Sequence, residues 1–156
     1  METTLTRHER NLAAMIHAST FSKYFIPFGN FIIPLVIWTA NKDEKTFVDH
    51  SGKEALNFQI SILLYGLVLA AITGILFLVF AFEFVGFVNV FELNRHNLYE
   101  FDHSHSGWGI HILFMLTAGI LGLGLLVLDV VCTILATLKS SRGEKYTYPI
   151  TIHFIR

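Results

Sequence analysis

Three stretches without a single Asp, Glu, Lys or Arg, residues 24–41, 55–82 and 106–128, constrain this chain more than any motif in it. Together they hold 69 of the 156 residues, so all 23 charges fall on the other 87. The whole-chain figure of 15% charged therefore averages two materials, one charge-free and one close to the ~25% usual in soluble domains. A chain divided in this way is not an average soluble globule, a disordered segment or a disulfide scaffold. It reads as an all-α integral membrane protein, because helices satisfy their own backbone in lipid.

The length suits a single membrane domain, residues 1–156. A net charge of −1 supplies no field to attract nucleic acid. The lone cysteine, Cys132, sits in an apolar run and reads as a buried thiol. The first 15 residues lack the apolar core of a cleavable signal peptide, so targeting is expected to reside in the membrane segments.

Residues 5–22 are expected to form a short amphipathic helix, with Leu5, Leu12, Met15, Ile16 and Ser19 on one stripe and His8 and His17 diluting it. Residues 24–41 are long enough to reach barely across a bilayer core, at about 27 Å. Pro27, Pro34 and the Gly29-Asn30 pair interrupt this segment. It reads as a broken element, half-helices or a re-entrant hairpin, with one kinked span as the alternative. A long helix is expected over 55–91 and another over 107–138. Gly66, Gly74 and Gly86 on the first, and Gly119, Gly122 and Gly124 on the second, suggest close helix approach.

Charge counting favours the hairpin. If residues 24–41 enter and leave on one side, ten of the eleven basic residues share a compartment and only Arg95 lies opposite. If the segment crosses fully, Arg7, Arg10 and Lys23 join Arg95 and the bias weakens to seven against four. The expected location is a bacterial inner (cytoplasmic) membrane with both termini cytoplasmic.

Two places draw attention as chemistry. The outward region, residues 83–106, gathers Glu83, Glu92, Glu100, Asp102, His96, His103 and His105, with His111 just beyond. Imidazoles and carboxylates suit zinc, copper or nickel, and His96, His103, His105 and Asp102 are the candidate ligands. A hydrated loop whose Asp102, Ser104 or Ser106 caps the next helix is the alternative. The second place is Asp129, ten residues before Lys139 and so ~15 Å along a helix from the charged edge. An ionisable group at that depth needs a partner, and Tyr65 or the broken segment around Asn30 is expected to supply it. Either a structural hydrogen bond or an ion or proton path would account for it. Asn57 and Gln59 also enter an apolar helix and need partners.

The flanking segments are specific. In residues 46–61, Gly52 is expected to turn the chain, placing Glu54 in the first turn of the long helix. In residues 139–156, the inner-face tail, Ile150, Ile152 and Phe154 alternate with Thr151 and His153, which suggests a short strand beside interface anchors Tyr146 and Tyr148. No HExxH pair, nucleophile elbow or phosphate-binding glycine loop is present, and residues 55–93 hold no histidine for a transmembrane haem. The expectation is a non-enzymatic chain without a cofactor, a metal ion in the His-rich loop being the one alternative.

Pro27-Phe28-Gly29-Asn30, Pro34-Leu35, Trp38, Phe47-Val48-Asp49-His50, Gly52-Lys53-Glu54-Ala55 and Asn57-Phe58-Gln59 resemble one N-terminal signature. Tyr146-x-Tyr148-Pro149 followed by Ile152 resembles its C-terminal counterpart. The chain is thereby similar to small bacterial membrane proteins of unknown function in the Tic20-like superfamily, over most of residues 12–155. Distant relatives there are a plastid inner-envelope translocon subunit and magnetosome membrane proteins of the MamF and MmsF type. The 87–105 region departs from the shared pattern. The resemblance implies an accessory role in protein translocation or membrane organisation, packed against a larger membrane complex or its own copies. It carries over no catalytic residue. A small ion or proton transporter using Asp129 and the broken segment is the competing expectation.

Overall fold

A computed structural model describes the backbone of residues 5–42, 46–93 and 107–156, and side chains within these outside 86–93 and 107–108. The elements in order are α1 (Arg7–Ser19), a 3₁₀ segment η1 (Thr20–Tyr24), α2 (Gly29–Asn41), α3 (Thr46–Leu93) and α4 (Gly107–Ser141). No strand occurs among the described residues. Two of the helices, over Thr46–Val85 and Gly109–Ser141, are long and apolar enough to cross a membrane.

α1 starts on a capping box: the Thr6 hydroxyl accepts the Glu9 N–H while the Glu9 carboxylate accepts the Thr6 N–H. Its buried stripe is Ala13, Ile16, His17 and, in η1, Thr20, at the i, i+3, i+4, i+7 spacing of one helix face. Met15, placed by sequence on the apolar stripe, is 56% exposed, and His17, read as a dilution of it, is fully buried. On that side the imidazole meets the buried Tyr148 hydroxyl.

The break comes where Pro27 removes a donor and Phe28 adopts a left-handed conformation at φ 60°. Five N–H groups bond within the turn. Phe25 and Ile26 N–H donate to the Ser22 carbonyl, Gly29 N–H to Ile26, and Phe31 and Ile32 N–H to Phe28. Gly29 is required here, since a Cβ would lie 2.6 Å from Ser22 Oγ. α2 then packs back against α1 and η1, so residues 7–41 form a helical hairpin.

α3 begins at Thr46, not near 55, and remains helical to Leu93, which covers the helix expected over 55–91 and the first part of the outward region. Gly52 therefore lies inside a helix and makes no turn. Its role is steric: a Cβ there would fall 2.2 Å from Trp38 Cγ, so the bare backbone seats the indole. Trp38 Nε1–H donates to Asp49 one turn earlier, at 3.0 Å, and Asp49 also pairs with Lys53 at 2.6 Å.

Contacts divide the chain into two compact units. The first comprises residues 1–64 and 126–156, and holds the buried core. Ile16, Trp38, Val48, Ala55 and Leu56 form one cluster; Phe58, Cys132, Ala136 and Tyr148 form another. Cys132 is the expected buried thiol. The second unit, residues 65–125, consists of the adjoining stretches of α3 and α4. Here Leu69 meets Gly122 and Phe80 meets His111, equal intervals in opposite directions, which is antiparallel register.

Candidate functional site

Within the first unit the hairpin and the long helices share a polar seam. The Lys23 ammonium at the end of η1 pairs with Asp129 Oδ2 on α4. The other carboxylate oxygen, Oδ1, accepts the Gln59 side-chain N–H at 3.0 Å from α3. Gln59 Oε1 in turn accepts from Asn30 Nδ2 at 2.8 Å, at the start of α2. Four segments thus meet on one chain of side chains. Asp129 is 4% exposed and Gln59 1%. The expected link from Asp129 to the broken segment is made, through Gln59 to Asn30, while Tyr65 falls at the first residue of the other unit.

Sequence reasoning missed Lys23, which entered only as a topology charge. The signal was there: Lys23 is the sole charge between Arg10 and Lys42, and Asp129 the sole charge between Asp102 and Lys139. Two lone charges of opposite sign in apolar surroundings favour each other, since either alone would be left unsatisfied.

A second constellation holds the C-terminal tail. Its residues form no strand: the chain turns at Pro149-Ile150, where Ile150 adopts φ 52°, and its backbone groups bond to side chains of α3 in place of a neighbouring strand. Asn57 Oδ1 accepts the N–H groups of Phe154 and Ile155 at 3.1 and 2.8 Å, and its amide donates to the Ile155 carbonyl at 3.0 Å. Ser61 Oγ accepts Ile152 N–H at 2.9 Å. Glu54 accepts Tyr148 N–H at 3.0 Å and bonds His153 Nε2 at 3.2 Å. Glu54 is therefore not a first-turn dipole partner; it sits in the third turn of α3, 5% exposed, as a clamp.

Tyr148 is the anchor of this tail. Its ring stacks on Phe58 at 4.1 Å and its hydroxyl meets His17 Nδ1 at 2.9 Å. Burial, and then the nearby His50, holds the His17 pKa down at about 3, so the ring is neutral at ordinary pH. Burial raises the Tyr148 phenol well above its usual range, against the opposing hydrogen bond from Thr133. Tyr146 stands edge-on to Tyr148 at 5.0 Å, under the Lys139 ammonium. Burial, followed by Cys132, pushes its pKa up to about 12.

The candidate metal ligands His96, His103, His105 and Asp102 lie outside the described residues. Among the described residues no group of three or more His, Cys, Asp or Glu side chains is placed to hold a metal. His111 instead meets Glu83 at 2.9 Å in the second unit.

The glycines expected to bring helices together do so at one described position. Gly122 faces Leu69 at 3.8 Å, whereas Gly66, Gly74, Gly119 and Gly124 look onto open space.

Glu54, Asn57, Gln59, Asn30, Trp38, Gly52 and Tyr148, which carried the signature resemblance, are thus the residues that hold hairpin and tail in place. The curated proteins and the solved structures give no significant match. Residues 8–155, nearly the whole chain, match the magnetosome magnetite crystal formation protein family, which narrows the resemblance to its magnetosome branch. With two helices fit to cross a bilayer and that match from end to end, the chain is a membrane protein belonging to the MamF/MmsF family.

Proposed function

We propose that this protein is a non-enzymatic accessory subunit of the magnetosome membrane, itself derived from the bacterial inner membrane, and that it contributes to magnetite crystal formation by packing against larger membrane partners or its own copies. The family description supports the process. One observation carries the structural part: Asn30, Gln59 and Asp129 of the buried seam are bonded to the chain's own segments, while Gly66, Gly74, Gly119 and Gly124 offer helix faces with open space. Small residues of this kind let a neighbouring backbone approach closely in lipid. Both termini face the cytoplasm in this reading, because that arrangement gathers ten of eleven basic residues on one side. Organisation of the membrane, or of proteins entering it, is the form of help it gives.

Purification from native membranes in mild detergent tests the reading. A stoichiometric partner or a defined oligomer is expected. A monodisperse single chain, together with unchanged crystal size and number on deletion of the gene, would overturn it.

A second reading has its own support. The Lys23–Asp129 pair continues through Gln59 to Asn30 in otherwise apolar segments, an arrangement also found on ion and proton paths beside broken helices. Purified protein in liposomes should then carry proton or cation flux that Asp129→Asn abolishes. Absence of flux in the wild type removes this reading.

A further inference from the structure

We propose that the hairpin of α1, η1 and α2 enters the membrane from one face only, and turns round within the hydrocarbon with residues 24–28 immersed in lipid acyl chains. The inference requires that α3 and α4 cross a membrane, and is independent of the accessory-subunit reading.

Register is the first argument. At one end of the first arm, Arg10 closes on Gly143, just past α4, where a Cβ would lie 3.0 Å from Arg10 Cδ. Thirteen residues further on, Lys23 meets Asp129, fourteen residues back along the chain from Gly143. Both intervals amount to about 20 Å of helix, so this arm runs antiparallel to α4. The second arm repeats the pattern on α3. Asn30 meets Gln59 and, eight residues on, Trp38 sits on Gly52, seven residues back. The hairpin therefore starts and finishes level with Lys42, Lys53, Lys139 and Arg142, and its turn lies level with Asp129. That level is ~15 Å inside α4 from Lys139. α2, with 13 residues and about 20 Å of length, is too short for a ~30 Å hydrocarbon core.

The chemistry of the turn is the second argument. Lipid offers no hydrogen bonds, and the N–H groups of Phe25, Ile26, Gly29, Phe31 and Ile32 all bond within the turn, while Pro27 has none to satisfy. The only charge between Arg10 and Lys42 is Lys23, and Asp129 neutralises it. Phe25 and Phe28 are 87% and 70% exposed, which in water would be an apolar patch without cover. Ile32 and Val36 of α2 and Val131 and Ile134 of α4 add further exposed apolar surface. The acyl chains that surround a spanning α4 are the one medium that suits the whole of it. Such an insertion adds protein volume to a single leaflet.

Full-length protein in lipid nanodiscs or liposomes, on a Cys132→Ala background, tests this with single cysteines. A nitroxide at Phe25→Cys should collide with oxygen in preference to a water-soluble nickel complex. Its depth should agree, within about one helical turn, with a label at Val131→Cys. Preference for the nickel complex would put the tip in water, and shielding from both reagents would put it against protein; either outcome overturns the proposal. An impermeant maleimide should label Arg7→Cys and Lys42→Cys from the same side, and labelling from opposite sides would show a full crossing.

Discussion

The two units of this molecule are built from the same two helices and yet are held by different forces. In the first, α3 and α4 carry Glu54, Asn57, Gln59, Ser61 and Asp129, and each of these side chains fastens a distant segment or its own helix. In the second, residues 65–125, the same helices are mostly apolar and glycine-bearing, with Leu69 on Gly122 and Phe80 on His111 as described contacts. One apolar helix thus serves two purposes. Where it must organise its own chain it uses directional polar bonds; where it faces lipid or another protein it leaves small residues uncovered.

The first unit is most sensitive at the ion pair. Asp129→Ala strands Lys23 among apolar groups and should cost about 3–5 kcal/mol, read as a lower unfolding midpoint in detergent. The double variant Lys23→Met with Asp129→Leu should recover most of that loss, because a stranded charge, not the absence of the pair, is the large term.

Next in size is the seat of the indole. Gly52→Ala drives a methyl group into Trp38 and should cost about 1–3 kcal/mol, with a red-shifted tryptophan emission as the indole is displaced. The clamp comes after it. Asn57→Ala removes three bonds to the tail and should lower stability by about 1–3 kcal/mol. Limited proteolysis should then cleave after residue 145 in the variant at protease levels that spare the wild type.

The first unit should also respond to pH. The His17 pKa is depressed to about 3 in the fold, against ~6.5 in an unfolded chain. The unfolded state therefore binds the extra proton first, so the stability that neutral His17 supports is full above pH 6.5 and declines as pH falls from there toward 3. His17→Gln should flatten the slope of melting temperature against pH across that window. An unchanged slope would show that His17 is not the titrating group.

The smallest effect belongs to the second unit. Gly74→Ala meets nothing within 4 Å, so in the isolated chain it should be neutral or stabilising by up to ~1 kcal/mol. If the same substitution disrupts an oligomer or partner complex in native membranes, the open face is an interface. If it does not, lipid is all that covers it.

Much of this architecture was legible in the sequence, for identifiable reasons. Charge-free windows showed the membrane helices, because no water is present to satisfy a charge there. Pro27 and Gly29 showed the break, since both act through the local backbone. Asp129, Asn57 and Gln59 stood out as polar groups in need of partners. Residues 150–154 alternate as a strand would, but the chain turns at Ile150, and Asn57, Glu54 and Ser61 bond the tail's backbone without a second strand. Gly52 and Glu54 were misplaced because a helix start is set by weak local signals, and α3 simply begins a few turns earlier.

A membrane-bound chain with two long helices and an interrupted first segment follows from the order of the amino acids. Local composition and backbone chemistry are enough for that. The tertiary structure alone decided the pairings. Lys23 and Asp129 are 106 residues apart, and Asn57 and Ile155 are 98 apart. Local composition marks Lys23, Asp129 and Asn57 as polar groups in need of partners, but a hydrogen bond or ion pair is a fact of geometry, and geometry exists only once the hairpin, the helices and the tail have packed.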